Sequence, residues 1–205
     1  MDIKRLTIFD KEYPILLKEI YDPPVVLYYK GKLDLNNKTI AVVGSRKMTD
    51  QGRSATVEFT KGLVNAGFTI ISGLARGVDS TAHLTAISER GKTIAVLGSG
   101  LNNIYPQENI ELAEKIAGGF GAIISEFPPD YPVKPENFPQ RNRIISGLSL
   151  AVLIVEAKNN SGSAITARAA LEQGREVFVI PPNDLIKDGA TAVFHPEEIL
   201  HEMGF

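Results

Sequence analysis

The chain contains no cysteine. Disulfides, thiolate metal sites and a cysteine nucleophile are therefore excluded, and the composition suits a reducing compartment, so a cytoplasmic location is expected. No run of about 18 apolar residues occurs, so no membrane-spanning helix is expected. The opening residues, MDIKRLTIFDKEYP, hold no apolar core of a secretory leader, and none is expected. Basic charge is not in excess: 22 Lys and Arg against 24 Asp and Glu leave a net charge of −2, so any nucleic-acid contact has to be local. The three histidines, His83, His195 and His201, have no metal-ligand spacing with carboxylates, and no metal is expected. Two phosphate motifs are also missing. Gly91-Lys92-Thr93 looks like the end of a Walker A loop, but Ala86 stands where its first glycine belongs, and a helix precedes it where a strand should. No G-x-G-x-x-G follows the first apolar strand either, which weakens a dinucleotide-cofactor reading.

What is present is the pattern of an α/β protein. The 205 residues, 43% of them hydrophobic, allow one good-sized domain with a short appendage. Residues 1–35 read as a lead-in packed on the core, punctuated by Tyr13-Pro14 and Pro23-Pro24, with a short β-prone run at 25–29. Residues 36–205 read as the main domain. Strands are predicted at 39–43, 69–71, 93–97, 122–124, 150–155 and 176–180, and helices at 50–66, 78–89, 109–117, 164–173 and 196–202. Residues 126–139 hold five prolines and are expected to form a long loop. The strands are rich in Val and Ile without polar alternation, which implies burial on both faces. With helices between them, they predict an extended Rossmann-like, doubly wound, mainly parallel sheet with helices on both faces. Ligands of such sheets sit at the carboxyl ends of the strands.

Five of the nine arginines (Arg46, Arg76, Arg141, Arg143 and Arg168) fall in or beside glycine- or serine-bearing turns. This clustering of the planar cation favours a discrete anion site. The segment Phe138 to Arg143, FPQRNR, sets Arg141, Asn142 and Arg143 beside an aromatic ring, just before an apolar strand. Guanidinium groups suit phosphate, and a ring face suits an unstacked base. Gly44-Ser45-Arg46 ends a strand and opens a helix, as an anion-binding turn does, and equally as a plain βα turn does. Ser72-Gly73-Leu74-Ala75-Arg76-Gly77-Val78-Asp79 repeats that logic, with Asp79 either capping the helix or orienting Arg76. His83, four residues on, makes a His–Asp pair conceivable, with a structural hydrogen bond as the favoured account, because no nucleophile with its own base is near. Ser161-Gly162-Ser163, with Thr166, reads either as an anion-binding helix start or as simple capping. Glu126 and Glu156, near strand ends, are expected to hold arginines in place.

In this order the segments resemble the DNA-processing protein A family, also called DprA or Smf. The resemblance rests on Tyr13-Pro14 with Leu16, Pro23-Pro24, GSR at 44–46, SGLARGVD at 72–79 with His83, and TIAVLGSGL at 93–101 with Tyr105-Pro106. It continues through SE at 125–126, FPQRNRIISGLS at 138–149, VEA at 155–157 and SGSAITARAALEQGREV at 161–177, covering about residues 11–182. It implies a non-enzymatic protein that binds single-stranded DNA and helps load the RecA recombinase in DNA uptake, natural transformation and recombination. It also implies a homodimer that needs no metal or nucleotide. The family's DNA pocket would map onto Arg46, Phe138, Arg141 and Arg143, with Asn142 between them. Gly44, Ser45, Ser72, Gly73, Arg76, Ser161, Gly162, Ser163 and Thr166 would line its rim, and Lys134 would add a phosphate contact. The helical and winged-helix modules that flank this core in many members are not expected here. The Ser/Gly-rich loop of the family is also shortened, with Pro181-Pro182 running straight into Asn183. Two other readings compete. One is a nucleotide-binding or nucleotide-hydrolysing enzyme like the lysine-decarboxylase-like phosphoribohydrolases, whose double-glycine loop is replaced here by SGSAIT. The other is a structural or partner-binding module with a vestigial anion site.

Overall fold

The computed structural model describes residues 1–35, 38–157 and 161–205. The lead-in supplies β1 (Lys4–Thr7), the single-turn helix α1 (Ile15–Lys18) and β2 (Val26–Gly31). There follow β3 (Thr39–Val43), α2 (Asp50–Asn65), β4 (Thr69–Ser72), α3 (Val78–Ser88), β5 (Thr93–Val96), α4 (Ile110–Lys115) and β6 (Gly121–Ser125). The chain ends with α5 (Asn137–Gly147), β7 (Ala151–Ile154), α6 (Gly162–Glu172), β8 (Glu176–Val179), β9 (Thr191–Ala192) and α7 (Pro196–Glu202). The strands form one sheet in the order β1-β2-β6-β5-β4-β3-β7-β8-β9. β1 and β2 add to it antiparallel, and from β6 onward every pairing is parallel.

Successive residues of each central strand serve opposite faces, as a period of two requires. Ile40 and Val42 of β3 pack with Phe59 and Leu63 of α2 and Val78 and Ala82 of α3. Ala41 and Val43, on the other face, pack with Ile144 and Ile145 of α5 and Ala164 and Ala167 of α6. A third cluster joins Ala95 and Leu97 to Leu112 of α4. Every residue of β3, β4, β5, β6 and β7 is buried, which is why their sequences run apolar without alternation. Each buried Leu, Ile or Phe contributes about 1.5–3 kcal/mol relative to exposure. The expected doubly wound, mainly parallel sheet with helices on both faces is therefore the fold observed. No helix among the described residues is long and apolar enough to cross a membrane.

From β3 the chain winds through β4, β5 and β6 in one direction, returns through α5 to β7 on the other side of β3, and continues to β8 and β9. The winding therefore reverses between β3 and β7, and a crevice opens at their carboxyl ends. Gly44 follows β3 and Val155 follows β7, so both lie at that crevice.

Two expectations change. The long loop stops short of residue 139, and FPQRNR is helical: it forms the first turns of α5, which begins at Asn137. Pro139 is tolerated there because a first-turn N–H has no partner within the helix. The helix expected at 109–117 is reduced to α4, entered by a 3-10 turn at Gln107–Asn109 and left by a π turn at Ile116–Phe120 that carries Gly118 and Gly119.

Candidate functional site

The carboxyl edge of the sheet gathers the candidate side chains from five connections, those after β3, β4, β5, β6 and β7. The turn after β3 presents Arg46, which is exposed, and α5 comes down over the same edge with Phe138 at its start. The Arg46 guanidinium carbon lies 5.8 Å from the centroid of the Phe138 ring. Among the described residues Arg46 has no carboxylate partner, so its donors face solvent. The Phe138 ring is partly exposed, rests on Gly98 with a tilted contact to Tyr105 at 5.7 Å, and belongs to none of the three core clusters. A free guanidinium beside a partly exposed ring is suited to one phosphate and one unstacked base.

On the β7 side lies the start of α6. Ser161 caps it, its hydroxyl accepting from Ala164 N–H at 3.3 Å and meeting Ser163 Oγ at 2.9 Å. Exposed Gly162 leaves the helix end open to solvent, and its N–H groups carry the positive end of the helix dipole. Asn142 of α5 donates to Gly162 O at 3.0 Å, so α5 ties this helix start to the Phe138 region.

The floor is built by Arg141. It is 3% exposed, and its Nη1 donates to Gly73 O at 2.8 Å and to Val96 O, joining the ends of β4 and β5. Asp79 accepts from the N–H groups of Gly73 at 3.1 Å and Ala75 at 3.3 Å. Burial raises the Asp79 carboxyl above its usual value, opposed by Arg141 and those N–H groups. Burial lowers Arg141 to about 10, opposed by Asp79. Gly73 is required between them, because a Cβ there would lie 2.6 Å from Arg141 Nη2 and 2.8 Å from Asp79 Oδ2. Gly77, at φ 77°, brings the second turn against the first, where Val78 N–H donates to Ser45 O at 3.2 Å.

The sequence profile of the DNA recombination-mediator protein A family matches residues 4–204. The chain belongs to that family. It is 48% identical to Protein Smf of Escherichia coli over 94% of its own length, and it spans about half, 54%, of that longer protein. The crystal structure of DNA processing protein A from Streptococcus pneumoniae superimposes with a TM-score of 0.92 at 42% identity, covering 98% of this chain and 75% of that one. DNA processing protein A from Helicobacter pylori, described for its single-stranded DNA binding mode, superimposes with a TM-score of 0.88 at 28% identity, covering 99% of this chain and 96% of that one.

Within this family frame, the residues expected at the site divide into groups. Gly44, Ser45 and Arg46 follow β3, Phe138 opens α5 beside Arg46, and 161–163 open α6, where Gly162 is exposed and Ser163 is buried. Ser72 is fully buried, its hydroxyl donating to Val42 O at 2.7 Å, and Thr166 is buried with its hydroxyl on Gly162 O at 3.1 Å. Arg76 leaves Asp79 aside and pairs with Glu108 through Nε and through Nη2, the latter at 3.1 Å. Arg143 is engaged by acidic partners. Its guanidinium makes a two-pronged contact with Glu126 at 2.8 and 2.7 Å and donates to the carbonyl and carboxylate of Asp22 at 3.0 and 3.1 Å. Burial pulls the Arg143 guanidinium down, and Glu126 and Asp22 outweigh it and raise it above its ordinary value. Lys134 stands over the Tyr131 ring, 5.2 Å from its centroid.

Glu126 thus holds an arginine, as expected. Glu156 does not: its carboxylate accepts from the Thr49 N–H at 3.1 Å and from the Thr49 hydroxyl at the start of α2. It also fills the space a Gly52 side chain would take. His83 and Asp79 do not form a pair. His83 is fully buried, with Nδ1 2.6 Å from Thr93 Oγ1. Since Thr93 Oγ1 gives its proton to Ile70 O at 2.8 Å, Nδ1 is the donor and Nε2 is left as an unpaired lone pair. Burial lowers the imidazole to about 3, so it is neutral at ordinary pH. Sequence reasoning missed Tyr105, Glu108 and the ring pair Phe127–Tyr131. The dipeptide Tyr105-Pro106 was the available signal for the first of these.

Proposed function

We propose that this chain binds single-stranded DNA along the carboxyl edge of its sheet and performs no chemistry on it. The observation that carries the reading is the solvent-facing Arg46 guanidinium set over the Phe138 ring at the switch point between β3 and β7. Arg46 and the α6 start would hold phosphates, Phe138 would stack a base, and Lys134 would extend the basic track. Arg141, Asn142, Ser72, Gly73 and Thr166 would shape the floor from beneath, and Arg143 would hold α5 in place. Contacts of this kind are largely independent of sequence and weaken steeply with salt. The single-strand binding described for the Helicobacter pylori relative supports this reading.

A binding role, not an enzymatic one, is supported by the engagement of the titratable groups. Neutral buried His83 and backbone-bound Asp79 are engaged within the fold. The nucleotide-enzyme reading is disfavoured by Glu156. Its carboxylate occupies the N-terminus of α2, where a dinucleotide-binding fold of this kind would seat a phosphate. We further propose, from family membership, a cytoplasmic protein that pairs with a second copy of itself and passes the strand to the RecA recombinase during transformation and recombination.

The test is fluorescence anisotropy with labelled oligo-dT at two salt concentrations, with a duplex of equal length and ATP as competitors. Salt-sensitive binding that unlabelled single strands displace and ATP does not is the expected result. Displacement by ATP, or release of free base from a nucleoside monophosphate, would replace this reading with the enzymatic one.

A further inference from the structure

The connection after β6 carries a second group of the same type as the first. Phe127 and Tyr131 stack with centroids 4.7 Å apart and planes 19° from parallel. Lys134 Nζ lies 5.2 Å from the centroid of the Tyr131 ring. Both rings are partly exposed, and neither belongs to any of the three core clusters. Among the described residues Lys134 has no carboxylate partner and the Tyr131 hydroxyl has no hydrogen-bond partner. An aromatic pair with a free cation therefore occurs twice on this edge: Tyr105–Phe138 with Arg46, and Phe127–Tyr131 with Lys134.

The second group is held rigidly. Gly100 N–H and Asn103 Nδ2 donate to Tyr131 O at 2.9 and 3.1 Å, and Asn102 N–H donates to Pro129 O at 2.9 Å. Phe127 N–H donates to Ser125 Oγ at 3.0 Å, and that hydroxyl donates to Ser99 O at 2.7 Å. The nearby Asp130 carboxylate is engaged by Asn102 Nδ2 at 2.7 Å. These bonds fasten the 127–131 turn to the 98–103 loop, whose Gly98 supports Phe138. Rings fixed in advance lose little freedom when a base stacks on them.

We propose that Phe127, Tyr131 and Lys134 form a second nucleotide-binding platform, so that a single strand held at Arg46 and Phe138 continues across the ends of β5 and β6. The proposal rests on the single-strand reading above and gives the strand a path. From the α6 start over β7, the path crosses β3, β4 and β5 to the platform over β6, about 19 Å at the usual strand spacing. Tyr131 and Phe127 offer ring surface to a base, and Lys134 meets the adjoining phosphate.

The experiment measures affinity for fluorescent oligo-dT of increasing length with the wild-type protein, Tyr131→Ala, Tyr131→Phe, Lys134→Ala and Phe138→Ala. Wild-type affinity should rise at the length that spans both groups. Tyr131→Ala should lose about tenfold on long strands only, Tyr131→Phe should match wild type, and Phe138→Ala should lose affinity at every length. In parallel, an oligonucleotide carrying 5-iododeoxyuridine should photo-crosslink the wild-type protein at Phe127 or Tyr131, a readout independent of how well the variants fold. Wild-type affinity for long strands in Tyr131→Ala and Lys134→Ala, or crosslinks that avoid 127–134, would overturn the platform and leave the Arg46–Phe138 site standing. Absence of wild-type binding at every length would overturn both.

Discussion

Arg46 and Phe138 are 92 positions apart in sequence, and the guanidinium of one lies 5.8 Å from the ring centroid of the other. The two probes of this pair should behave differently. On the proposed single-strand reading, Arg46→Ala would remove a phosphate contact, so affinity for oligo-dT should fall and the slope of log K against log salt should become shallower by about 0.7. On the same reading, Phe138→Ala would remove the proposed stacking surface, so affinity should fall by about 1–3 kcal/mol with the slope unchanged. Titration at several salt concentrations separates these outcomes. Equal slope changes in both variants would mean that Phe138 acts only by positioning Arg46.

Arg141 and Arg143 stand two residues apart in the same basic hexapeptide, yet their donors are engaged within the fold. Arg143→Ala should destabilise the protein by about 3 kcal/mol, because the Glu126 side chain, 12% exposed, would lose its two-pronged partner. The folded protein should keep the wild-type salt slope for DNA. Arg141→Lys should also be destabilising, since one ammonium cannot reproduce the planar donors that join Gly73 O, Val96 O and Asn142 Oδ1. Urea unfolding gives both stabilities. A stable Arg143→Ala protein with a shallower salt slope would return Arg143 to the DNA-contacting surface.

These two arginines also mark the limit of what the sequence discloses. Strand 39–43 is legible to the residue, because an unbroken apolar run closed by glycine has few alternatives in a doubly wound sheet. The helical nature of FPQRNR is not, for two physical reasons. Prolines surround it, and its buried face carries Arg141 and Asn142 where the helical period calls for apolar residues. Their partners, Gly73 O, Val96 O and Gly162 O, lie 68, 45 and 20 positions from the respective donors, beyond the reach of any local pattern. Arg46 was legible because a strand-end glycine and a helix start confine it. That Arg143 is engaged by Glu126 and Asp22 follows only from how the end of β6 and the lead-in pack on α5.

Arg76 and Glu108 form an exposed pair, with 57% and 50% of their side chains accessible. Such pairs contribute little to stability, so Glu108→Gln should leave the unfolding midpoint nearly unchanged. The change frees the Arg76 guanidinium at the rim of the second turn. Affinity for single strands should therefore rise by a few-fold at low salt, with a steeper salt slope, if Arg76 lies within reach of a phosphate. Anisotropy of Glu108→Gln against Arg76→Ala/Glu108→Gln measures this. An unchanged slope between the two would place Arg76 outside the bound strand's path.

The buried imidazole of His83 predicts a pH dependence of stability that DNA binding does not share. Its value falls from 6.5 to about 3 on folding, chiefly through desolvation. The unfolded chain therefore takes up the proton first, so stability present above about pH 6.5 is lost as pH falls toward about 3. Between pH 6.5 and 5 the loss from this group alone is about 2 kcal/mol. His83→Asn, whose amide can replace the Nδ1–H donor to Thr93 Oγ1, should be less stable than wild type at pH 7 because it leaves space in the core. It should nevertheless lose less stability on going to pH 5. The raised Asp79 carboxyl acts in the opposite sense, because protonation relieves its burial as pH falls, but it is common to both proteins and cancels in the comparison. Urea unfolding of both proteins at the two pH values gives the difference. Parallel pH profiles would mean that the His83 site admits a proton without unfolding, and that its unpaired Nε2 finds an acceptor once charged.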